Sequence, residues 1–312
     1  MKSTKNVYLA GHNGMLGQAF IRILAGDKDY EIFTIDRKEL DLRSEVDVKY
    51  YFEKHKFDLV IIAAAKVGGV LANQNYPADF IFDNLKIQTN LIHQSYLSGV
   101  QKIIFLASCC IYPRDCPQPM NEKHILSGPL EKTNEPYALA KLAGINMCQS
   151  YYSQYNLNSF CPMPINLYGP FDNFDPFDSH VIAGLMNRIH LSKINHNDTC
   201  EVWGTGTAKR EYMHVDDCVK GIMYLNDLIH DGSMINISPG IEMTTFETAE
   251  MISKVIGYKG KLILDETKPD GTPRKLADSK KIKSLGWEGP QINFENGLVE
   301  TYKWYLKNIF FN

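Results

Sequence analysis

The chain has 312 residues, of which 44% are hydrophobic and 22% charged, and its 33 basic and 36 acidic side chains give a formal charge of −3. This composition is typical of a folded globular protein; the small negative charge argues against nucleic acid as a partner, and no segment approaches the ~20 apolar residues of a membrane span. Seven scattered cysteines form no C-x-x-C pair and no zinc-like spacing, so we expect reduced thiols, no metal site and a cytoplasmic location.

The first half of the chain alternates apolar runs with connections of helix length. These runs are NVYLA (6–10), EIFTI (31–35), DLVIIAAA (58–65), KIIFLA (102–107) and NSFCPM (158–163). Continuous apolar strands are buried on both faces, so they predict an α/β fold with a Rossmann-type, doubly wound parallel sheet. We assign residues 1–168 to this dinucleotide-binding domain.

The pattern changes after about residue 170. A loop rich in proline, phenylalanine and aspartate (169–178) leads to a predicted helix at 180–193 and then to shorter, mixed elements. We interpret 169–312 mainly as a smaller C-terminal α/β lobe. Part of it, about 216–240, is expected to return to the larger domain, beginning with a helix at 216–230.

Three glycines directly follow the first strand at the spacing G-x-x-G-x-x-G: Gly11, Gly14 and Gly17. A helical pattern comes next, so they lie at a strand-to-helix turn, where they let a pyrophosphate approach the backbone and the helix N-terminus. The second strand ends at Asp36 and Arg37. An acidic residue there favours the ribose 2′-hydroxyl of NAD, whereas an arginine favours the 2′-phosphate of NADP. These residues leave both cofactors open.

A tyrosine and a lysine four residues apart mark the start of another helix, in the stretch NEPYALAK (134–141). Pro136 suits a first helical turn, and the spacing places Tyr137 and Lys141 on one face. The nearby ammonium group is expected to lower the pKa of the phenol, which makes Tyr137 a candidate general acid toward a carbonyl oxygen. Ser108, at the end of the fourth strand, is placed to hydrogen-bond the same oxygen.

Together these motifs resemble an extended short-chain dehydrogenase/reductase that acts on nucleotide sugars. Further stretches are similar to the GDP-L-fucose synthase family of GDP-4-keto-6-deoxy-D-mannose 3,5-epimerase/4-reductases. They are AAAKVGG (63–69), YPADFI (76–81), SCCIYP (108–113), NLYGPFDNF (166–174), SHVI (179–182), WGTGTAKREYMHVDD (203–217) and KPDGTPRK (268–275). The resemblance implies NADPH-dependent chemistry on a GDP-sugar in a homodimer, with residues 169–312 mainly binding the nucleotide sugar.

The resemblance also implies roles for individual residues. Ser108, Tyr137 and Lys141 match the reductase triad, and Cys110 and His180 match the acid/base pair that inverts sugar carbons 3 and 5. A thiol and an imidazole suit that work because both titrate near neutrality once perturbed. We interpret Cys109 as a small buried packing residue without a catalytic role.

The remaining matches concern binding. The residues expected to contact the GDP-sugar are Arg188, Trp203, Arg210, Asp270 and Lys275. The residues assigned to the cofactor are Gly11, His12, Asn13, Gly14, Met15, Leu16, Gly17, Asp36, Arg37, Asp41, Leu42, Ala63, Ala64, Leu106, Ala107, Ser108, Tyr137, Lys141, Pro164, Ile165, Asn166, Leu167 and His180.

Two departures from the family pattern bear on the cofactor. An arginine often stands at the position of Asn13, and related chains tend to be uncharged at the position of Asp36, whose carboxylate would repel a 2′-phosphate. NADPH remains the expected cofactor, and Asp36 keeps NAD open as the alternative.

Three alternative functions also stay open. The first is the same chemistry on a GDP-4-keto sugar of GDP-L-colitose or GDP-6-deoxyheptose synthesis, which differs around sugar carbons 3 and 6. The second is a UDP-sugar 4-epimerase, which needs no pair of Cys110 and His180. The third is a catalytically inactive, cofactor-sensing protein, which should have lost Ser108, Tyr137 or Lys141.

Overall fold

Six parallel strands form the central sheet of the computed structural model, in the order β2-β1-β3-β4-β5-β9. The structure describes residues 4–175, 179–268 and 270–311. Residues 176–178 of the predicted loop at 169–178, and Pro269 of the KPDGTPRK stretch, lie outside the described residues. The strands are β1 (Lys5–Ala10), β2 (Tyr30–Phe33), β3 (Leu59–Ile62), β4 (Lys102–Phe105), β5 (Asn158–Pro164) and β9 (Asp231–Ile237).

Helices connect these strands in the alternating pattern of a doubly wound fold. They are α1 (Met15–Leu24), α2 (Glu45–Lys54), α3 (Val70–Asn75), α4 (Pro77–Leu97) and α5 (Glu135–Tyr155), with α7 (Val215–Asn226) preceding β9. The core strands are buried from end to end, as in the LVII sequence of β3. The predicted fold class is therefore confirmed: continuous apolar strands need helices on both faces of the sheet.

The five predicted strands are all present, but several apolar runs extend beyond the sheet. Ala63, Ala64 and Ala65 follow β3 as a loop at the carboxyl edge. Strand β9 was not predicted; it pairs with β5 along the register from Ser159–Asp231 to Pro164–Ile237. Helix α7, which covers most of the predicted helix at 216–230, packs against α1.

The remaining elements build two smaller sheets and their helices. Strand β8 (Lys209–His214) pairs with β6 (Asn166–Tyr168), β10 (Glu242–Thr244) and β12 (Arg274–Lys275), while β7 (Thr199–Trp203) pairs with β11 (Lys261–Asp265). The helices are α6 (Val181–Ile194), α8 (Thr245–Ile256), α9 (Lys280–Ser284) and α10 (Phe294–Tyr305), which continues into a π-helical turn at Leu306–Phe310. Helix α6 confirms the helix predicted at 180–193.

Two separate clusters of buried apolar side chains underlie this arrangement. The larger one fills the space between the six-stranded sheet and its helices, and it includes residues of α7, β9 and α9. The smaller one lies between α6, α8 and α10 and includes Ile189, Ile252 and Leu298. None of the described helices is long and apolar enough to cross a membrane.

Candidate active site

The glycine loop joins β1 to α1 at the carboxyl edge of the sheet. Gly11 has a φ of +90°, and a Cβ there would lie 2.5 Å from the backbone nitrogen of Ala64. A Cβ at Gly17 would clash with the carbonyl oxygen of Gly11, so both positions require glycine. Gly14 is the N-cap of α1, which has no side-chain cap and no acidic residue in its first turn. This helix end therefore suits the diphosphate of a dinucleotide.

A cavity of about 570 Å³ opens beside the loop. Of the residues predicted to bind the cofactor, those in its lining are Gly11, His12, Asn13, Gly14, Arg37, Asp41, Leu42 and Ala64. Arg43 also lines it and donates to Asp41 at 2.8 Å, which lowers the pKa of Asp41 to about 2. The uncapped helix end and this cavity fit the diphosphate and adenosine of a nicotinamide dinucleotide.

The side chain of Asp36 is held by the glycine loop. Asn13 Nδ2 donates to Asp36 Oδ1 at 2.8 Å, and His12 Nε2 lies 3.4 Å from the same oxygen. Arg37, in contrast, lines the cavity. Strand β2 ends at Phe33, earlier than predicted, and of the two charged residues that follow it Arg37 is the one that lines the cofactor cavity.

The other predicted cofactor residues continue from this cavity along the sheet. Met15, Leu16 and Gly17 form the first turn of α1, and Ala63 follows β3. The others follow β4 or lie at the end of β5 and in β6: Leu106, Ala107, Ser108, Pro164, Ile165, Asn166 and Leu167. Because parallel strands present their carboxyl ends at one edge, these segments line up from the glycine loop toward α5.

The predicted reductase triad comes together where β4 ends and α5 begins. Lys141 is buried, its Nζ donates to the carbonyl oxygen of Leu106 at 2.8 Å, and it lies 5.8 Å from the centroid of the Tyr137 ring. The Ser108 hydroxyl is near enough to the Tyr137 phenol to lower the pKa of that phenol. The backbone N–H of Cys110 donates to Ser108 Oγ at 3.3 Å. Ser108 therefore connects the tyrosine to the two-cysteine turn.

The predicted lowering of the Tyr137 pKa is wrong. Burial raises the pKa of this phenol, nearby Cys110 and Cys109 raise it further, and only the interaction with the Ser108 hydroxyl lowers it. The Lys141 ammonium is engaged by a backbone carbonyl, and burial lowers the pKa of Lys141 itself to about 8. A phenol with a raised pKa keeps its proton at neutral pH, which is the form that a general acid requires.

Cys109 and Cys110 begin a 3₁₀ turn, Cys109–Ile111, that follows Ser108. Both residues are partly exposed, so Cys109 is less enclosed than predicted, although both pack against the large apolar cluster. Burial raises the pKa of Cys110 to about 11, although the Ser108 hydrogen bond and the charges of Lys275 and Lys141 act in the opposite direction. The prediction that this thiol titrates near neutrality is therefore wrong, because desolvation outweighs the nearby cations.

His180 is the N-cap residue of α6. Its side chain is 56% exposed, and its Nδ1 lies 3.2 Å from Oδ1 of Asp172, a carboxylate that is only 3% exposed. Asp172 was not among the predicted site residues.

The predicted substrate residues lie on α6, the smaller sheets and the loops beside them. The Arg188 guanidinium stacks 4.2 Å above the Trp203 ring, and burial lowers the pKa of Arg188. Lys275 pairs in register with Arg210, and both cations act on the pKa of Cys109, which places them beside the cysteine turn. The Asp270 carboxylate accepts hydrogen bonds from the backbone and the hydroxyl of Thr205, so it also joins two loops of this lobe.

Glu211, which was also not predicted, connects the strands and loops that carry the predicted substrate residues. It is fully buried, and its carboxylate accepts from Ser238 Oγ at 2.6 Å, Gly240 N at 2.8 Å and Ala277 N at 2.6 Å. It thereby ties β8, which carries Arg210, to the segment that follows Lys275. The sequence offered one indication of this role, because a glutamate that lies among the buried residues of a strand needs hydrogen-bond donors.

Comparison with known proteins identifies the relatives of this chain. A family model described as the NAD dependent epimerase/dehydratase family matches residues 7–238. GDP-L-fucose synthase 1 of Arabidopsis thaliana is 49% identical over 99% of this chain and 95% of that protein. GDP-L-fucose synthase of Escherichia coli is 45% identical over 98% of both.

A solved structure gives the same result for the fold. A GDP-mannoheptose C4 reductase from Campylobacter jejuni with NADP bound superposes with a TM-score of 0.87, at 33% identity over 98% of this chain and 99% of that one. The resemblance predicted from the motifs is thus confirmed, and the chain belongs to the NAD dependent epimerase/dehydratase family.

Proposed function

We propose that this protein epimerises GDP-4-keto-6-deoxy-D-mannose at C3 and C5 and then reduces C4 with NADPH, forming GDP-L-fucose. The observation that carries the proposal is the position of Ser108, whose hydroxyl accepts the backbone N–H of Cys110 and also lowers the pKa of the Tyr137 phenol. A substrate whose C4 keto oxygen binds next to Ser108 would be near both Tyr137, for reduction, and Cys110, for epimerisation. The similarity to GDP-L-fucose synthases over nearly the whole chain supports the same reaction.

In the epimerase half-reaction, the chain's own residues move protons at the carbons beside the ketone. A C4 ketone acidifies the hydrogens on C3 and C5, and the Ser108 and Tyr137 hydroxyls stabilise the enolate oxygen that forms. Inversion needs one group to remove a proton and another to return one to the opposite face. We assign these tasks to Cys110 and His180; the thiol is protonated at neutral pH and therefore ready to donate.

In the reductase half-reaction, Tyr137 protonates the C4 oxygen. NADPH, when bound along the edge described above, supplies the hydride for C4. Ser108 orients the ketone, and the Lys141 ammonium, 5.8 Å from the phenol ring, stabilises the phenolate once its proton has left. Arg37, which lines the cofactor cavity, would hold the 2′-phosphate of NADPH. Arg188, Trp203, Arg210, Asp270 and Lys275 form or shape the GDP-sugar site.

The experiment that tests this proposal is product analysis in D₂O. Purified protein with GDP-4-keto-6-deoxy-D-mannose and NADPH should yield GDP-L-fucose that carries deuterium at C3 and C5, as determined by NMR. A reduced product without deuterium at either carbon would exclude the epimerase function.

A second candidate is reduction of a GDP-4-keto heptose, which the similarity to the GDP-mannoheptose C4 reductase favours. The two substrates differ at C6, so their kcat/KM values should be compared in the same preparation. A value at least tenfold higher for the heptose would replace the proposed substrate.

We also propose a cytoplasmic homodimer composed of a dinucleotide-binding domain (1–168, with part of about 216–240) and a mainly nucleotide-sugar-binding lobe (169–312). The seven cysteines are unpaired, as is usual in a reducing compartment. We place the dimer face on α4 and α5, where Leu97 and Tyr155 leave 57% and 42% of their surfaces exposed. Sedimentation equilibrium tests the dimer, and a monomer at micromolar concentration would contradict it.

A further inference from the structure

The loop between β6 and α6 contains a buried carboxylate that no role assigned above uses. Asp172 is 7% exposed, and its Oδ1 accepts the backbone N–H of Asn173 at 2.8 Å. The same oxygen lies 3.2 Å from Nδ1 of His180. Its Oδ2 is buried without a hydrogen-bond partner in the part of the chain that the structure describes. A carboxylate in such a place is unfavourable unless a cation or a donor compensates it.

The backbone around Asp172 is anchored by packing on both sides. The Phe171 ring lies 4.8 Å from the ring of Trp304 on α10, and the Phe174 ring lies 4.9 Å from that of Tyr305. Asn187 on α6 donates to the Phe174 carbonyl at 3.1 Å. The carboxylate therefore occupies a fixed position, whereas the imidazole it contacts is 56% exposed and carried at the start of a helix.

A fixed carboxylate next to Nδ1 determines how an imidazole works. It accepts the Nδ1–H of the neutral ring, so the lone pair that takes up a proton is on Nε2, and it stabilises the imidazolium that results. Both effects suit a group that moves a proton at a sugar carbon.

We propose that Asp172 is the positioning residue of His180, holding the imidazole in its Nδ1–H form for proton transfer at the sugar ring. This inference rests on the proposed epimerase function. It adds a carboxylate–imidazole pair at the start of α6. The inference requires no role for Asp172 in the work of Ser108, Tyr137 and Lys141.

The test is the substitution Asp172→Asn, which keeps the side-chain volume but removes the charge. Exchange of the C3 and C5 hydrogens with D₂O, measured without NADPH, should fall about 10- to 100-fold, the usual effect of losing an orienting partner. The KM for the GDP-sugar and the affinity for NADPH should stay within about twofold. Asp175→Asn is the matched control, because Asp175 is an exposed carboxylate of the same loop; its exchange rate should equal that of the wild type.

The His180→Gln variant separates failure of this inference from failure of the proposed function. If His180→Gln loses exchange and Asp172→Asn keeps it, the positioning role is wrong and the epimerase function stands. If both variants exchange at the wild-type rate, the assignment of His180 fails as well.

A measurement on the unmodified protein covers the case in which Asp172→Asn does not fold. The ¹⁵N NMR signals of His180, assigned by their loss in His180→Gln, should show a protonated Nδ1 and an unprotonated Nε2 in the neutral ring. The opposite tautomer would overturn the proposal.

Discussion

The raised pKa of Cys110 predicts how fast its thiol reacts with an alkylating reagent. Burial raises the pKa of this thiol from an ordinary 9.0 to about 11. At pH 7.5 the thiolate is then about one molecule in 3,000, against about one in 30 for a thiol of pKa 9, which is a hundredfold difference in the reactive form. A thiolate of higher pKa is intrinsically about tenfold more nucleophilic, so alkylation should be about tenfold slower than that of a free thiol.

The assay is labelling with iodoacetamide, followed by peptide mass spectrometry. Labelling is measured in the Cys109→Ser variant, in which Cys110 is the one thiol of the turn. The Cys110→Ser variant is the negative control. The logarithm of the labelling rate should rise with a slope of one per pH unit from pH 7 to 9.5. A small free thiol, measured in parallel, should level off near pH 9.

The dependence of the labelling rate on pH distinguishes two causes of slow labelling: a raised thiol pKa and restricted access of the reagent. Steric hindrance slows labelling equally at every pH, whereas a raised pKa moves the pH at which the rate levels off. A plateau below pH 9 would show that Lys275 and Lys141 outweigh desolvation, and the protonated thiol would have to be abandoned as the resting form.

The remaining predictions concern the other groups of the site. Tyr137→Phe should reduce NADPH oxidation by about 10²–10⁴-fold with little change in KM for the GDP-sugar, and near-normal turnover would contradict its role as the acid. Arg37→Ala should lower kcat/KM for NADPH much more than for NADH; an unchanged ratio would place the discrimination elsewhere. Cys110→Ser should suppress deuterium exchange at C3 and C5 while C4 reduction persists, and Cys109→Ser should match the wild type in both. The reverse pattern would exchange the two assignments.

The parts of the fold that could be predicted are those with continuous apolar runs. Strand β3 is buried along its whole length and was visible in the sequence, because a fully buried strand must be apolar on both faces. Strand β9 was missed because its first three residues, DGS, are polar and only its last three are buried in succession; it lies at the edge of the sheet, where one side needs no partner strand.

The sequence predicted which residues come together at the reductase triad better than it predicted their pKa values and hydrogen bonds. Spacing placed Tyr137 and Lys141 on one helix face, and the structure confirms their proximity. Spacing could not show that the Lys141 ammonium is hydrogen-bonded to Leu106, or that burial dominates the pKa of both Tyr137 and Cys110. The contact between Asp172 and His180 was also hidden, because the loop that joins them has no periodicity from which a distance could be read.

The two departures from the family pattern, Asn13 and Asp36, are best understood as one feature. Each argued against NADPH when considered alone, since the first removes a common phosphate contact and the second adds a repulsive charge. In the structure the Asn13 amide donates to Asp36 at 2.8 Å, so the residue that replaces an arginine binds the carboxylate that would otherwise be available to the cofactor. His12 lies against the same oxygen, and Arg37 remains on the cavity wall. The Asn13 amide thus engages the Asp36 carboxylate, while Arg37 lines the cavity that would receive a 2′-phosphate.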